Sequence, residues 1–335
     1  MKLLVTGGLG FIGSNYILHT LSTHLDWEIV NLDKMGVGAN PMNLRGLEAE
    51  SRYSFLKGDI SDPKAVRGAL EEMDAVVNIA AETHVDRSIS NPHPFLESNT
   101  LGTLTLLEAE RRLEPPVRHI QVSTDEVYGA IDEGSFSEDD RLDPSNPYSA
   151  TKAAADLLCN AYYRTYGMNI TVTRCTNNYG PRQFPEKLIP KTIIRALKGM
   201  RIPVYGSGTN VRDWIYVLDH CKAINHVLER GEPGEVYNIS SAAEHSVLEI
   251  VTRILNYLGK PLDQVSFVED RPGHDRRYSL DSSKLRQKLG WKPQYEFEIA
   301  LKDTVEWYTS NLWWWEPLVS EEVLHPTPWR MKGKC

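Results

Sequence analysis

The chain opens Lys2-Leu3-Leu4-Val5-Thr6 and runs directly into Gly7-Gly8-Leu9-Gly10-Phe11-Ile12-Gly13, and no other stretch restricts its possible folds as much. Lys2 to Thr6 is a short apolar run, glycines recur at Gly7, Gly10 and Gly13, and Ser14 to Leu25 then alternates with helical spacing. The pattern predicts strand, tight turn and helix. Glycines at such a turn let backbone approach a pyrophosphate, whose charge is favoured by the free amides and dipole of a helix N-terminus. The spacing is Gly-x-x-Gly-x-x-Gly rather than the more familiar Gly-x-Gly-x-x-Gly. A purely structural turn could use the same glycines, so the strands that follow decide the reading.

The next apolar strand, Glu28 to Leu32, ends in Asp33, about 20 residues past the glycines, where a carboxylate can accept both ribose hydroxyls and repel a 2′-phosphate. NAD is therefore favoured over NADP, with Lys34 leaving the alternative open. A third strand, Tyr53 to Lys57, leads into Gly58-Asp59-Ile60, an edge for an adenine. A fourth, Ala75 to Ile79, ends in Ala80-Ala81-Glu82-Thr83-His84, whose small residues let backbone lie against a cofactor. Val117 to Ser123 and Ile170 to Arg174 read as further strands, with a long helix at Ser149 to Tyr166 between them. Repeated strand and helix units predict an α/β fold, a Rossmann doubly wound parallel sheet covered on both faces, over residues 1–178.

Beyond Asn178 the texture changes: Pro181, Pro185, Pro190 and Pro203 break the chain, and helices are expected at Lys191 to Lys198, Ser246 to Leu258 and Phe297 to Asn311. A smaller C-terminal α/β lobe, mainly residues 179–335, is expected, with the chain crossing back to the sheet. A composition 41% apolar and 24% charged is that of a globular protein able to bury one large core plus a lobe. The net charge of −8 with scattered basic residues argues against nucleic acid, so an anionic ligand must be held by local positive groups. Cys159, Cys175, Cys221 and Cys335 show no metal-binding spacing and read as reduced thiols of a cytoplasmic protein. No apolar run is long enough to span a bilayer, and the chain starts with a strand rather than a signal peptide. Trp313-Trp314-Trp315 is too short for a membrane anchor and is expected to pack against the body or a partner subunit.

Tyr148-Ser149-Ala150-Thr151-Lys152 carries the chemistry. Tyr148 and Lys152 fall one turn apart on one helical face, where an ammonium near a phenol lowers its pKa. A phenolate beside NAD can take a hydroxyl proton while the carbinol hydrogen leaves as hydride. Ser123-Thr124 ends the preceding strand.

Four further segments bring a resemblance into view. Ser123-Thr124-Asp125-Glu126-Val127-Tyr128-Gly129, Arg174 to Pro181, Gln183 to Pro190 and Arg271-Pro272-Gly273-His274-Asp275 resemble the dTDP-glucose 4,6-dehydratase family of extended short-chain dehydrogenases, over nearly the whole chain. Thr124-Asp125-Glu126 is the most telling piece, because related epimerases and decarboxylases carry other residues there. The resemblance implies NAD-dependent oxidation at C4, with Tyr148 as base, Thr124 holding the hydroxyl and Lys152 in support. The new ketone acidifies the C5 hydrogen; Glu126 removes it, protonated Asp125 donates to the departing C6 hydroxyl, and hydride returns to C6. The product would be dTDP-4-dehydro-6-deoxy-glucose, for deoxysugar pathways such as that to dTDP-rhamnose. It also implies that Gly7, Gly10, Phe11, Ile12, Gly13, Asp33, Lys34, Asp59, Ile60, Ala80, Ala81, Thr83, Ser98, Tyr148 and Lys152 lie along NAD. Asn177, Lys187, Arg212 and Arg271 would face the diphosphate. Pro203, Tyr205, His274 and Tyr278, with His84 and Leu188, would complete the nucleotide-sugar pocket. No metal is implied.

Two segments depart from the family pattern. Met35-Gly36-Val37-Gly38-Ala39-Asn40 lacks a threonine and an aromatic, and Ser240 to Val247 lacks a glycine pair and two asparagines. Both leave the reaction intact and put base selectivity in question. The alternatives are a dehydratase of UDP-glucose, a 4-epimerase or decarboxylase, or a non-catalytic NAD sensor. Apolar excess on helices near Phe95 to Arg111 and Ser149 to Tyr166 predicts a homodimer.

Overall fold

The computed structural model describes residues 1–331, so the expectation for Cys335 lies outside the described residues. In chain order the strands are β1 (Lys2–Thr6), β2 (Glu28–Asp33), β3 (Tyr53–Lys57), β4 (Ala75–Asn78), β5 (Arg118–Thr124) and β6 (Ile170–Cys175). They continue as β7 (Asn177–Tyr179), β8 (Ile202–Tyr205), β9 (Val211–Tyr216), β10 (Val236–Ile239), β11 (Glu244–Ser246) and β12 (Val265–Val268). One seven-stranded sheet runs β3-β2-β1-β4-β5-β6-β10 with every pair parallel. Every residue of β4 and β6 is buried, as strands covered by helices on both faces must be, which is why they read as apolar and β-branched runs.

Strand order reverses between β1 and β4, and a crevice at the carboxyl ends of the strands follows from that reversal. The first helix spans Phe11–Thr23 and starts three residues before the sequence pattern suggested. Gly13 sits inside it because a Cβ there would fall 2.3 Å from the Gly7 carbonyl oxygen. The helix Val217–Arg230 comes from the C-terminal half, yet its Cys221, Ile224 and Val227 share one apolar cluster with Tyr16 and Ile17 of the first helix. With β10, it is the return crossing of the chain.

Phe95 to Arg111 was expected to be one regular helix, and here the structure differs. It is α-helical at His93–Phe95 and Gly102–Glu110, with a π segment at Leu96–Leu101 between them. The wider turn matches what its side chains hold: Asn99 bonds both the N–H and the carbonyl of Glu82 (2.8 and 3.0 Å) and Thr151 Oγ1 (3.0 Å). Such bulges recur at functional sites.

The smaller lobe has two sheets, β7-β9-β11 and β8-β12. Helices Leu188–Leu197, Val247–Tyr257 and Phe297–Ser310 enclose a core of Ile193, Ile254, Leu301 and Tyr308. Trp314 and Trp315 are buried against it, whereas Trp313 remains 48% exposed beneath the Arg45 guanidinium. Among the described residues no helix is long and apolar enough to cross a membrane, and Cys159, Cys175 and Cys221 are free and buried.

Candidate active site

One cleft opens at the carboxyl ends of β1 and β4. Gly7, Gly10, Phe11, Ile12 and Gly13 line its floor with Asp33, Lys34, Asp59, Ile60, Ala80, Ala81, Thr83 and Ser98. Gly7 has φ +70°, and a Cβ on it would lie 2.7 Å from the Ala80 Cα, so two backbones meet where a phosphate would rest. The first helix begins at Gly10 with no side-chain cap and no acidic residue in its first turn, which leaves its amides open to an anion. Asp33 Oδ2 accepts the Leu9 N–H (3.0 Å) and Oδ1 the Met35 N–H (2.7 Å); burial pushes its carboxyl up against the pull of those bonds. Lys34 Nζ donates to Ser98 Oγ (2.5 Å) and sits 3.6 Å from both Asp59 Oδ2 and Glu82 Oε1.

The far end of the cleft holds Thr124, Asp125, Glu126, Tyr148 and Lys152. Thr124 ends β5 and caps the 3-10 turn Asp125–Tyr128, accepting the Glu126 N–H (3.3 Å) and donating to Asp125 Oδ1 (3.1 Å). Asn146 caps the helix Pro147–Tyr166 through a capping box, which fixes where Tyr148 and Lys152 leave it. Burial, then the charge of Glu126, holds the Asp125 carboxyl well above the ordinary range. Burial also raises Glu126, but the cations Arg271, Arg212 and Lys187 pull it back. Asp125 Oδ2 and Glu126 Oε2 are buried without a protein partner, as are Ser123 Oγ and Asn177 Oδ1. These orphaned atoms fit a polar ligand in the cleft.

The expectation that Lys152 lowers the Tyr148 pKa is corrected. Lys152 Nζ donates to the Val122 carbonyl (2.7 Å), and the phenol is held well above its ordinary value by burial, then by Glu126, with a Thr124 hydrogen bond opposing. The buried ammonium is satisfied by a backbone carbonyl of β5 instead of the phenol.

Of the expected nucleotide-sugar set, Asn177 and Lys187 line this cleft along with Thr124. The others form an adjoining cluster. Asp86 joins it, taking Tyr205 OH (2.6 Å) on one oxygen and Arg271 (2.8 Å) on the other. Arg212 stacks on Tyr278 with its guanidinium carbon 4.3 Å from the ring centre, and His274 lies edge-on to Tyr205 and bonds Asp270 (2.6 Å). Pro203 pairs with Ser266 across β8 and β12. His84 precedes the helix Val85–Ser90; burial, then Lys187, Lys191, Arg87 and Arg271, hold it well below its ordinary value. That ring of cations suits an anionic ligand despite the acidic chain. Leu188 departs from expectation: it packs into two apolar clusters of the lobe rather than lining the cleft.

Sequence reasoning missed Asp86, Arg87 and Glu186. Arg87 bridges Glu186 (3.1 Å) and Glu82 (3.6 Å), tying the loop after β4 to the start of the lobe. The one available signal was their position beside His84 and Lys187. The loop Gly36–Ala39, noted only for its departures, also lines the cleft.

A dinucleotide crevice with a tyrosine and lysine on one helix at its mouth is the architecture of the extended short-chain dehydrogenases. The family model GDP-mannose 4,6 dehydratase matches residues 4–304. A dTDP-glucose 4,6-dehydratase of Actinoplanes sp. is 48% identical over 320 residues, 94% of this chain and 100% of that protein. The low-salt glycan biosynthesis protein Agl12 of Haloferax volcanii is 50% identical over 312 residues, 93% of this chain and 99% of that protein. The crystal structure of DesIV, a dTDP-glucose 4,6-dehydratase from Streptomyces venezuelae with NAD and TYD bound, has a TM-score of 0.93 and 45% identity, covering 95% and 100% of the two chains. With half or nearly half of all positions shared end to end, the chain belongs to the dTDP-glucose 4,6-dehydratase family.

Proposed function

We propose that this chain is an NAD-dependent hydro-lyase that converts dTDP-glucose to dTDP-4-dehydro-6-deoxy-glucose and water, a step of deoxysugar biosynthesis. The observation that carries the reading is the pair Asp125 and Glu126 on one turn at the end of the cleft, each with a buried oxygen that no protein group bonds. Dehydration needs an acid and a base at adjacent carbons, and two neighbouring carboxyls with different charges around them can supply both.

The residues fit NAD: the Gly7–Gly13 turn for the pyrophosphate, Asp33 for the adenosine ribose, and Lys152 with Tyr148 at the nicotinamide end. When bound, NAD supplies a two-electron acceptor that is restored within the cycle. Burial and the charge of Glu126 keep the Tyr148 phenol protonated in the protein alone; beside the positive nicotinamide of bound NAD its phenolate is favoured, and in that form Tyr148 takes the proton of the C4 hydroxyl while Thr124 holds that oxygen. The C4 ketone makes the C5 hydrogen acidic. Glu126 removes the C5 proton, and Asp125, held in its protonated form, passes a proton to the C6 hydroxyl, which departs as water; as the hydride taken from C4 returns to C6, Glu126 gives its proton back to C5. Arg212, Arg271, Lys187 and Asn177 hold the diphosphate, with bidentate guanidinium contacts the strongest of these. Tyr205, His274, Tyr278 and Pro203 hold the nucleotide, with His84 near the cations.

Residues 1–178 with the returning β10 serve NAD, and 179–335 mainly the nucleotide sugar. A homodimer is supported by exposed apolar side chains on the two helical segments beside the cleft: Leu96 (55%), Leu101 (47%), Leu157 (59%) and Tyr166 (52%). Free, buried cysteines accord with a cytoplasmic setting.

Mass spectrometry of the protein incubated separately with dTDP-, UDP-, GDP- and CDP-glucose, without added reductant, tests the reading. Loss of one water from dTDP-glucose alone is the expected result. Loss from another nucleotide sugar would keep the chemistry and overturn the substrate; loss from none would overturn both.

A further inference from the structure

The dinucleotide turn is anchored by a part of the chain some three hundred residues away. Leu9, between Gly8 and Gly10, is 4% exposed. Its N–H donates to Asp33 Oδ2 (3.0 Å), and its carbonyl accepts from the Asn40 N–H (2.9 Å) and from Asn43 Nδ2 (2.8 Å). Asn43 is 3% exposed, and its Oδ1 accepts the indole N–H of Trp314 (2.8 Å), itself 3% exposed and set edge-on against Trp307.

The orientation of the Asn43 amide follows from its partners. An indole N–H can only donate and a backbone carbonyl can only accept, so Oδ1 must face Trp314 and Nδ2 must face Leu9. Neither an aspartate nor a leucine could make both bonds. A line therefore runs from Trp314 through Asn43 to the Leu9 carbonyl, across the Leu9 Cα to the adjoining peptide plane, and from its N–H to the Asp33 carboxylate. With the carbonyl side of Leu9 pinned by Asn43 and Asn40, its backbone torsions fix where the N–H points; if Leu9 shifted, Asp33 would lose one of its two backbone donors.

We propose that Asn43 and Trp314 are positioning residues for the dinucleotide, which set the Leu9 backbone and, through its N–H, the Asp33 carboxylate that selects the unphosphorylated ribose. The proposal rests on the reading of the cleft as an NAD site. It gives the tryptophan run a role in cofactor selection beyond packing.

The test is calorimetric titration of the nucleotide-free, full-length protein with NAD and with NADP. Trp314→Phe keeps an aromatic side chain while removing the N–H and part of the ring volume; Asn43→Asp keeps the size and turns a carboxylate toward the Leu9 carbonyl. Asn43→Ser, which drops both bonds without adding charge, serves if Asn43→Asp fails to fold. The loss of one buried hydrogen bond predicts an NAD dissociation constant raised roughly three- to tenfold. NADP binding should change less, so the preference for NAD narrows. Because the two residues act in one line, the double variant should bind NAD no more weakly than the weaker single variant. NAD affinity within about twofold of the parent in Trp314→Phe, or losses that multiply in the double variant, would overturn the proposal. A parent protein that binds no NAD would instead overturn the cofactor reading on which it rests.

Discussion

Asp125 and Glu126 leave the same 3-10 turn, and burial raises both carboxyls, yet the charges around them differ. Asp125 accepts from Thr124 and feels the charge of Glu126 with the cation Arg212 opposing it, whereas three cations, Arg271, Arg212 and Lys187, act on Glu126. One proton shared unequally between adjacent carboxyls is what an elimination needs.

Glu126→Gln should allow oxidation at C4, visible as reduced nicotinamide absorbance on the protein, and stop there. Asp125→Asn should lower the rate of water loss by roughly a hundredfold to ten-thousandfold, the usual worth of a positioned acid. Single-turnover absorbance with mass analysis of the quenched sugar reads both. Unchanged turnover in Glu126→Gln would remove it from the base role.

The pH profile follows from the same two groups. Activity needs Glu126 ionised and Asp125 protonated, so it falls as pH drops through the raised Glu126 value and again as pH climbs through the raised Asp125 value. The acid limb should therefore sit above 4.5, the ordinary glutamate value. The two midpoints belong to the coupled pair rather than to either residue. Arg271→Gln removes the foremost cation acting on Glu126, so its acid limb should move to higher pH. A limb that stays or moves downward counts against the assignment.

Asp33→Asn keeps the shape of the side chain and removes its charge. NAD should bind roughly tenfold or more weakly, the worth of hydrogen bonds to a charged acceptor, and NADP should bind better than to the parent. Titration with both dinucleotides checks this, and an undiminished preference for NAD would contradict the role of Asp33.

Far from the cleft, His119 is wholly buried, with Nδ1 2.9 Å from Glu110 Oε1 and Nε2 3.2 Å from Gln121 Oε1. Gln121 Oε1 also accepts Asn78 Nδ2, so both imidazole nitrogens face acceptors and the ring is held protonated. Burial opposes that charge, but Glu110 and Cys159 outweigh it and raise the pKa well above 6.5. With the folded value above the unfolded one, the stability from this pair is complete below about pH 6.5 and declines as pH rises toward the folded value. His119→Leu leaves Glu110 buried and unpaired and should cost about 3–5 kcal/mol at neutral pH. Urea unfolding of both proteins across the alkaline range checks the trend, and a parent stability flat with pH would refute it.

Six of the sheet's seven strands, β1 to β6, were legible because each is a short local run with apolar or β-branched residues, and observed ends lie within one residue of those expected; β10 was not. β7, β8, β11 and β12 were not, since three or four residues on an edge carry no periodicity; Asn177–Tyr179 became a strand only by pairing with β9. The π segment at Leu96–Leu101 was invisible for another reason: its cause is Asn99 reaching Glu82 and Thr151, contacts distant in sequence. The same holds for Asp86, whose part in the site depends on Tyr205 and Arg271 arriving from the other lobe. Lys152 was placed correctly on its helix, but the direction of its ammonium was set by a carbonyl of β5, which helical spacing could not reveal.

The central claim is an internal exchange in which the hydrogen removed from C4 returns at C6 of the same sugar. The measurement is nuclear magnetic resonance of the product formed from dTDP-glucose carrying deuterium at C4. Deuterium in the new C6 methyl group is the predicted result. Deuterium still at C4, or lost to solvent with no water eliminated, would contradict the account.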